Sequence, residues 1–230
     1  MNIHIISIFP EIFESFLNTS IVRRAVDDEI IQVTTHNPRD FTTDKHQQID
    51  DEIYGGGAGL LMKAQPLIDC LRSLGETMYC SQTKIVCLWP SEIVFNQQIA
   101  HNYIKDYDTI VFICGRYEWF DHRFVLWCQQ EYDNRFDVVS LWQFVTLWWE
   151  TPTMVMIESL VRLIPWVISD PESRRDESYR PEQGMSNLEY PQYTRPIEVE
   201  GMEVPEVLLS GHHKKIQEWR NDASRKIKKS

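Results

Sequence analysis

No uninterrupted apolar stretch in this chain of 230 residues approaches the roughly 18 residues a membrane-spanning helix needs, so no transmembrane helix is expected. Met1 to Phe9 lack a basic start, a long apolar run and a small-residue cleavage site. No secretory signal is therefore expected, and the expected location is cytoplasmic. The five cysteines (Cys70, Cys80, Cys87, Cys114 and Cys128) are odd in number and form no CxxC pair. That argues against a disulfide framework or a metal site and for buried reduced thiols. Neither a Gly-Lys-Ser/Thr loop nor a GxGxxG following a strand is present, which excludes the common nucleotide and dinucleotide fingerprints. Positive charge is scarce too: 23 Lys and Arg against 34 Asp and Glu leave a formal net charge of -11. Such a balance runs against a phosphate-rich partner, which needs local positive charge. The exception is the tail from His213 onward, where Lys214, Lys215, Arg220, Arg225, Lys226, Lys228 and Lys229 face only Glu218 and Asp222.

What is present suffices for a core: 43% of residues are hydrophobic and 12% aromatic, too many for a disordered chain. Ile3 to Phe9 reads as a buried strand, followed by a helix opened by Pro10 with Ile12, Phe13, Phe16 and Leu17 on one face. Ile30 to Thr35 is a second β-rich run, and Pro38 to Asp51 reads as a polar loop. Tyr54-Gly55-Gly56-Gly57-Ala58-Gly59 is a permissive turn leading into an apolar helix beginning near Leu60 or Gln65. Lys84 to Leu88 and Thr109 to Cys114 are compact apolar runs joined by a crossover helix over Phe95 to Tyr103, an alternation that predicts an α/β domain with a parallel sheet. Thr153 to Leu163 has helical spacing, and Ser169 to Asn187 is polar and interrupted by Pro171 and Pro181. The expected organisation is a domain over residues 1–168, a flexible linker over 169–187 and a small, mainly helical C-terminal domain over 188–230.

Several ordered blocks carry a resemblance. They include Ile6-Ser7-Ile8-Phe9-Pro10-Glu11-Ile12-Phe13, Pro38-Arg39-Asp40-Phe41 with Asp50-Asp51, the loop Tyr54 to Gly59, and Cys114-Gly115-Arg116-Tyr117-Glu118. Further on come Tyr190 to Pro196, Gly201 to Pro205, Leu208 to His212 and Trp219-Arg220. Together they resemble the bacterial tRNA (guanine-N1) methyltransferases of the knotted TrmD type. The resemblance implies a parallel sheet with a deep trefoil knot of the SPOUT class, a homodimer with active sites between subunits, and a C-terminal tRNA-binding domain, here shortened. It also implies methyl transfer from S-adenosylmethionine to N1 of the guanosine just 3′ of the anticodon. By the same resemblance Glu177 stands at the family's aspartate base, beside Asp176 and before Ser178 and Tyr179. Arg162 stands at the active-site arginine, and Asp50 and Gly59 stand near the target guanine. Cys87, Leu88, Trp89, Pro90, Gly115, Tyr117, Glu118, Leu141, Phe144 and Thr146 fall in the loops that hold the methyl donor. No metal is implied.

Those donor loops depart from the family. Where it has Leu-Ser-Pro-x-Gly, this chain has Leu88-Trp89-Pro90-Ser91-Glu92. The glycine after Arg-Tyr-Glu is Trp119. The three glycines of Ser-Ile-Gly-Asp-Tyr-Val-Leu-x-Gly-Gly-Glu are Trp142, Trp148 and Trp149, and a fourth, after Pro165, is Trp166. Seven of the eight tryptophans lie between Trp89 and Trp166, and no glycine occurs from Arg116 to Gln183. Three readings stand at this point: an active methyltransferase with a remodelled donor pocket, a catalytically silent tRNA-binding or dimeric relative, or a degenerate or engineered sequence that preserves the fold and little else.

Overall fold

A computed structural model describes residues 1–142, 144, 146–168, 177–183, 185 and 187–226. Of the expected linker, 169–176, 184 and 186 lie outside the described residues, as do Lys228 and Lys229 of the basic tail. The chain forms two compact units, Met1–Ser169 and Asp170–Ser230.

The first unit is built on five parallel strands: β1 (Asn2–Ile6), β2 (Gln32–His36), β5 (Thr83–Leu88), β6 (Thr109–Ile113) and β8 (Phe136–Val139). Their spatial order is β2-β1-β6-β5-β8, so β6 lies between β1 and β5. The central strands are apolar on both faces because both are covered. Ile110 and Phe112 enter one core with Val86, Leu88, Ile3 and Ile5, while Val111 and Ile113 enter the other with Ile85, Cys87 and Ile6. Helices α2 (Ser20–Asp27), α4 (Gln97–Asp106) and α6 (Glu150–Val161), following the short α1 (Glu14–Leu17), supply side chains to the first core. Helices α3 (Ala64–Ser73) and α5 (His122–Tyr132) supply the second. The expected α/β class with a parallel sheet is what the structure has.

Local differences from the sequence reading have physical causes. Leu60–Met62 is a strand, β4, because it pairs with β3 (Asp50–Glu52) and with β7 (Trp119–Phe120); the helix begins only at Ala64. The last residues of the expected loop, Asp50 and Asp51, thereby belong to a sheet. Four of the five cysteines are buried as expected, but Cys80 is exposed at the turn before β5. Burial pushes the Cys70 thiol up to about 12, beyond the reach of redox chemistry at neutral pH.

The strand pair β1–β2 carries a titratable contact. His4 Nδ1 and His36 Nε2 lie 3.0 Å apart. Burial lowers the pKa of both, and His4 lowers His36 further by like charge. The unfolded chain therefore binds protons more readily, so this pair adds stability above the ordinary 6.5 and loses it as pH falls through the lowered folded values. Denaturant midpoints from about pH 7.5 to about pH 5 should fall for this chain. The slope should flatten in His4→Asn/His36→Asn, and an unchanged slope would remove the pair from the account.

The second unit contains α7 (Glu206–Leu209), α8 (His213–Ala223) and two short antiparallel pairings, β10 (Glu198–Val199) with β11 (Met202–Glu203) and β9 (Asn187–Leu188) with β12 (Arg225–Lys226). Trp219 of α8 is held between Tyr190 and Tyr193 at ring-centroid distances of 6.5 and 6.3 Å, and the Arg220 guanidinium lies over Tyr190. These contacts give a small unit an aromatic centre.

Candidate functional site

In open parallel sheets, ligands lie outside the carboxyl ends of strands where the strand order reverses. Here that place is set by β1, β6, β5 and β8, and the loops leaving them are Ser7–Phe9, Cys114–Glu118, Trp89–Glu92 and Ser140–Trp149. Three of these four are the loops singled out in the sequence for a methyl donor. A buried polar knot ties the loops after β1 and β6 to the start of α6. Ser7 donates its hydroxyl to Glu150 Oε1 at 2.8 Å, and Arg116 Nε donates to the same oxygen at 3.2 Å. Glu150 is fully buried, and its Oε2 has no hydrogen-bond partner among the described residues. The Arg116 guanidinium is sandwiched between the rings of Phe9, 4.5 Å away, and Trp148, 4.7 Å away. Glu150 is thus the fixed anion that orients the cation at the end of β6.

On the other side of that loop, the small β3-β4-β7 sheet brings together Asp50, Gly59, Tyr117 and Glu118. The Glu118 amide donates to the Leu60 carbonyl at 3.0 Å, and Asp121 donates to Met62 at 2.8 Å. Gly59 has φ +88°, and a side chain there would overlap the Cγ of Glu118. Only glycine fits that close approach. Tyr117 lies beside Asp50 and Arg39; burial first and Asp50 second raise its phenol above the ordinary range, with Arg39 opposing. Next to this junction a cleft of about 1080 Å³ opens, lined by Glu52, Tyr54, Lys63, Gln65, Asp121 and Arg123 among others. Sequence reading passed over Arg39, Arg116 and Glu150 as functional residues. The last two were visible only as a charge beside Gly115 and a lone acid opening an apolar helix.

The remaining residues fall as follows. Cys87 and Leu88 are fully buried in β5. Pro90 and Phe144 are exposed, Leu141 packs on the first core, and Thr146 donates to the Trp148 carbonyl at 3.1 Å. Arg162 caps α6, its amide donating to Glu158. Glu177 belongs to the second unit, where it borders a pocket of about 270 Å³ with Asn187, Leu188, Tyr190, Gln217, Asn221 and Ser224. Asp176 lies outside the described residues.

A family model described as tRNA (Guanine-1)-methyltransferase TrmD matches residues 1–230. The chain belongs to this family. Among its relatives, tRNA (guanine-N(1)-)-methyltransferase of Clostridioides difficile (strain 630) is 41% identical over 229 residues, covering 100% of this chain and 94% of that protein. The protein of the same name from Staphylococcus carnosus (strain TM300) is 42% identical over 222 residues, covering 96% and 85%. That from Dictyoglomus turgidum is 40% identical over 220 residues, covering 96% and 83%.

Against this membership, the loops that follow β5, β6 and β8 in this TrmD-family chain meet through tryptophan. Trp89 and Trp119 stack at 4.3 Å between centroids and 17° between planes, and Trp149 leans on Trp89 at 5.7 Å. Trp149 also closes on Gly115, where a Cβ would meet its Cδ1 at 3.3 Å. A planar base inserted between two stacked rings needs a separation of about 7 Å, twice the carbon–carbon contact distance. As the indoles lie, no planar base can enter between Trp89 and Trp119. The buried Trp119 Nε1, which has no hydrogen-bond partner among the described residues, shows that the packing is imperfect even without a guest. Past the end of α6, Trp166 sits at φ +74°, a left-handed backbone that costs a non-glycine residue roughly 1–2 kcal/mol.

Proposed function

We propose that this protein methylates N1 of the guanosine 3′ of the anticodon in tRNA. The observation that carries this reading is the family match over the whole of residues 1–230, and the convergence of Asp50, Gly59, Tyr117 and Glu118 beside the end of β6 supports it. N1 of guanine carries a proton near neutral pH, so a base must take that proton as the new N–C bond forms. Glu177 is assigned that role. Arg162 is assigned to the negative charge that develops on O6, and Asp50 to holding the base edge, with Gly59 leaving room for it. S-adenosylmethionine is the donor of the family, and the loops containing Cys87 to Pro90, Gly115 to Glu118 and Leu141 to Thr146 are assigned to it. The insertion of β6 between β1 and β5 is compatible with the trefoil knot of that family, and a homodimer with tRNA as partner belongs to the same reading.

Protein purified from its own cells should transfer labelled methyl to a tRNA transcript with guanosine after the anticodon. The label should sit on N1, and a transcript with adenosine at that site should take none. Absence of label on the guanosine transcript, with tRNA still bound in a gel shift, would refute the assignment.

A further inference from the structure

The conflict between membership and pocket has one economical origin. We infer that positions 119, 142, 148, 149 and 166 are glycine in the protein its own cell makes, encoded by UGA codons which that cell reads as glycine. UGA differs by one base from the tryptophan codon UGG and by one base from the glycine codon GGA. A single decoding difference therefore exchanges the smallest residue for the largest at every such codon and leaves the rest of the chain untouched.

Several independent observations carry this. Seven positions here hold glycine in the resembling family: five are tryptophan in this chain, position 92 is glutamate, and Gly115 is kept. Independent substitution would have sampled alanine, serine or asparagine, which loops accept more readily. All nine glycines of the chain lie outside residues 116–183. Decay does not explain the pattern either, because identity to a relative stays at 41% over 229 residues.

The structure separates two kinds of tryptophan. Trp127 and Trp219 are built in: Trp127 meets Tyr132 edge-on under Arg72, and Trp219 sits between two tyrosines. The inferred glycine positions look otherwise. Trp166 has φ +74° and is 87% exposed: a large residue facing solvent on a backbone conformation natural to glycine after a helix. Trp142 is 65% exposed and Trp148 47%. Trp119 and Trp149 do pack against the two cores, but Trp119 buries an indole N–H with no partner among the described residues, and Trp149 lies against Gly115. With glycine at 119 and 149, the stack on Trp89 and the plug on Gly115 both vanish, and bare backbone faces the end of the sheet. Trp89 stands at a serine position and is not included.

The inference rests on the methyltransferase reading, and the test has an arm for each. The gene should read UGA at all five positions and UGG at Trp127 and Trp219. Trypsin cutting after Arg116 and Arg123 should release, from protein made in the source cells, the seven-residue peptide that begins at Tyr117 with glycine mass at 119. UGG codons, or a tryptophan mass in that peptide, would overturn the inference. Separately, the chain carrying Trp119→Gly, Trp142→Gly, Trp148→Gly, Trp149→Gly and Trp166→Gly should bind S-adenosylmethionine in calorimetry with micromolar Kd and melt higher with it, whereas the tryptophan chain gives no heat. A glycine mass in the peptide without donor binding by the glycine chain would uphold the decoding and sink the methyltransferase reading.

Discussion

In the chain with tryptophan at 148, Glu150→Ala is expected to cost about 3–5 kcal/mol of folding stability, the range for removing one partner from a buried ion pair. The reason lies in what is left behind. Arg116, only 12% exposed at its side chain, would keep its charge between Phe9 and Trp148 with no anion opposite it. Ser7 would lose the acceptor of its hydroxyl, which lies 2.8 Å away. Three segments far apart in sequence, at the ends of β1 and β6 and the start of α6, would lose their common tie. Glu150→Gln separates charge from shape. Its carbonyl oxygen can still accept from Ser7 and Arg116, so its loss should stay near 1–3 kcal/mol. Urea unfolding of both variants gives the comparison, and equal small losses would mean that the pair is not structural. Oε2, which has no hydrogen-bond partner among the described residues, shows why the site is no energetic optimum: one carboxylate oxygen is desolvated without return. Such a group persists where orientation of the arginine matters more than stability.

The sheet was legible in the sequence because its central strands are apolar on both faces. β5 and β6 are uninterrupted runs whose composition alone implies a covered parallel sheet. Lys84 within β5 looks like an exception until Asp137, 2.8 Å from its ammonium, and the Tyr103 hydroxyl on that carboxylate come into view. β8, four residues long and carrying that half-buried Asp137, gave no periodic signal of its own. α5 escapes the sequence reading although its buried residues Phe124, Val125, Cys128 and Tyr132 recur at helical spacing. β3, β4 and β7 are two or three residues long, below the length at which alternation can be recognised, yet they assemble Asp50 beside Tyr117. The Ser7–Glu150 bond spans 143 residues and Arg116–Glu150 spans 34, so no local pattern could announce either. The family blocks marked the loops; only the coordinates showed that their indoles meet face to face.

In the form of the protein that transfers methyl, Glu177→Gln should lower kcat by roughly 10²–10⁴, the span for loss of a positioned general base. KM for tRNA should change little, since the amide keeps the volume and the hydrogen-bonding reach of the acid. Glu177→Asp, which supplies the residue the family uses, should keep most of the rate. That rescue distinguishes proton transfer from mere packing. The backbone around Glu177 is held firmly enough for the role: Ser178 and Glu189 exchange hydrogen bonds, each amide donating to the other's side chain at 3.1 and 3.0 Å, and Tyr179 donates to the Asn187 carbonyl at 3.0 Å. A base must be positioned to within a fraction of an ångström, so Ser178→Ala, which removes one of these ties, should lower kcat by less than Glu177→Gln, and adding Glu177→Asp should not restore that loss. A Glu177→Gln variant with unchanged kcat would transfer the role of base to another carboxylate, and Asp50, beside Tyr117 and Arg39, is the group to replace next.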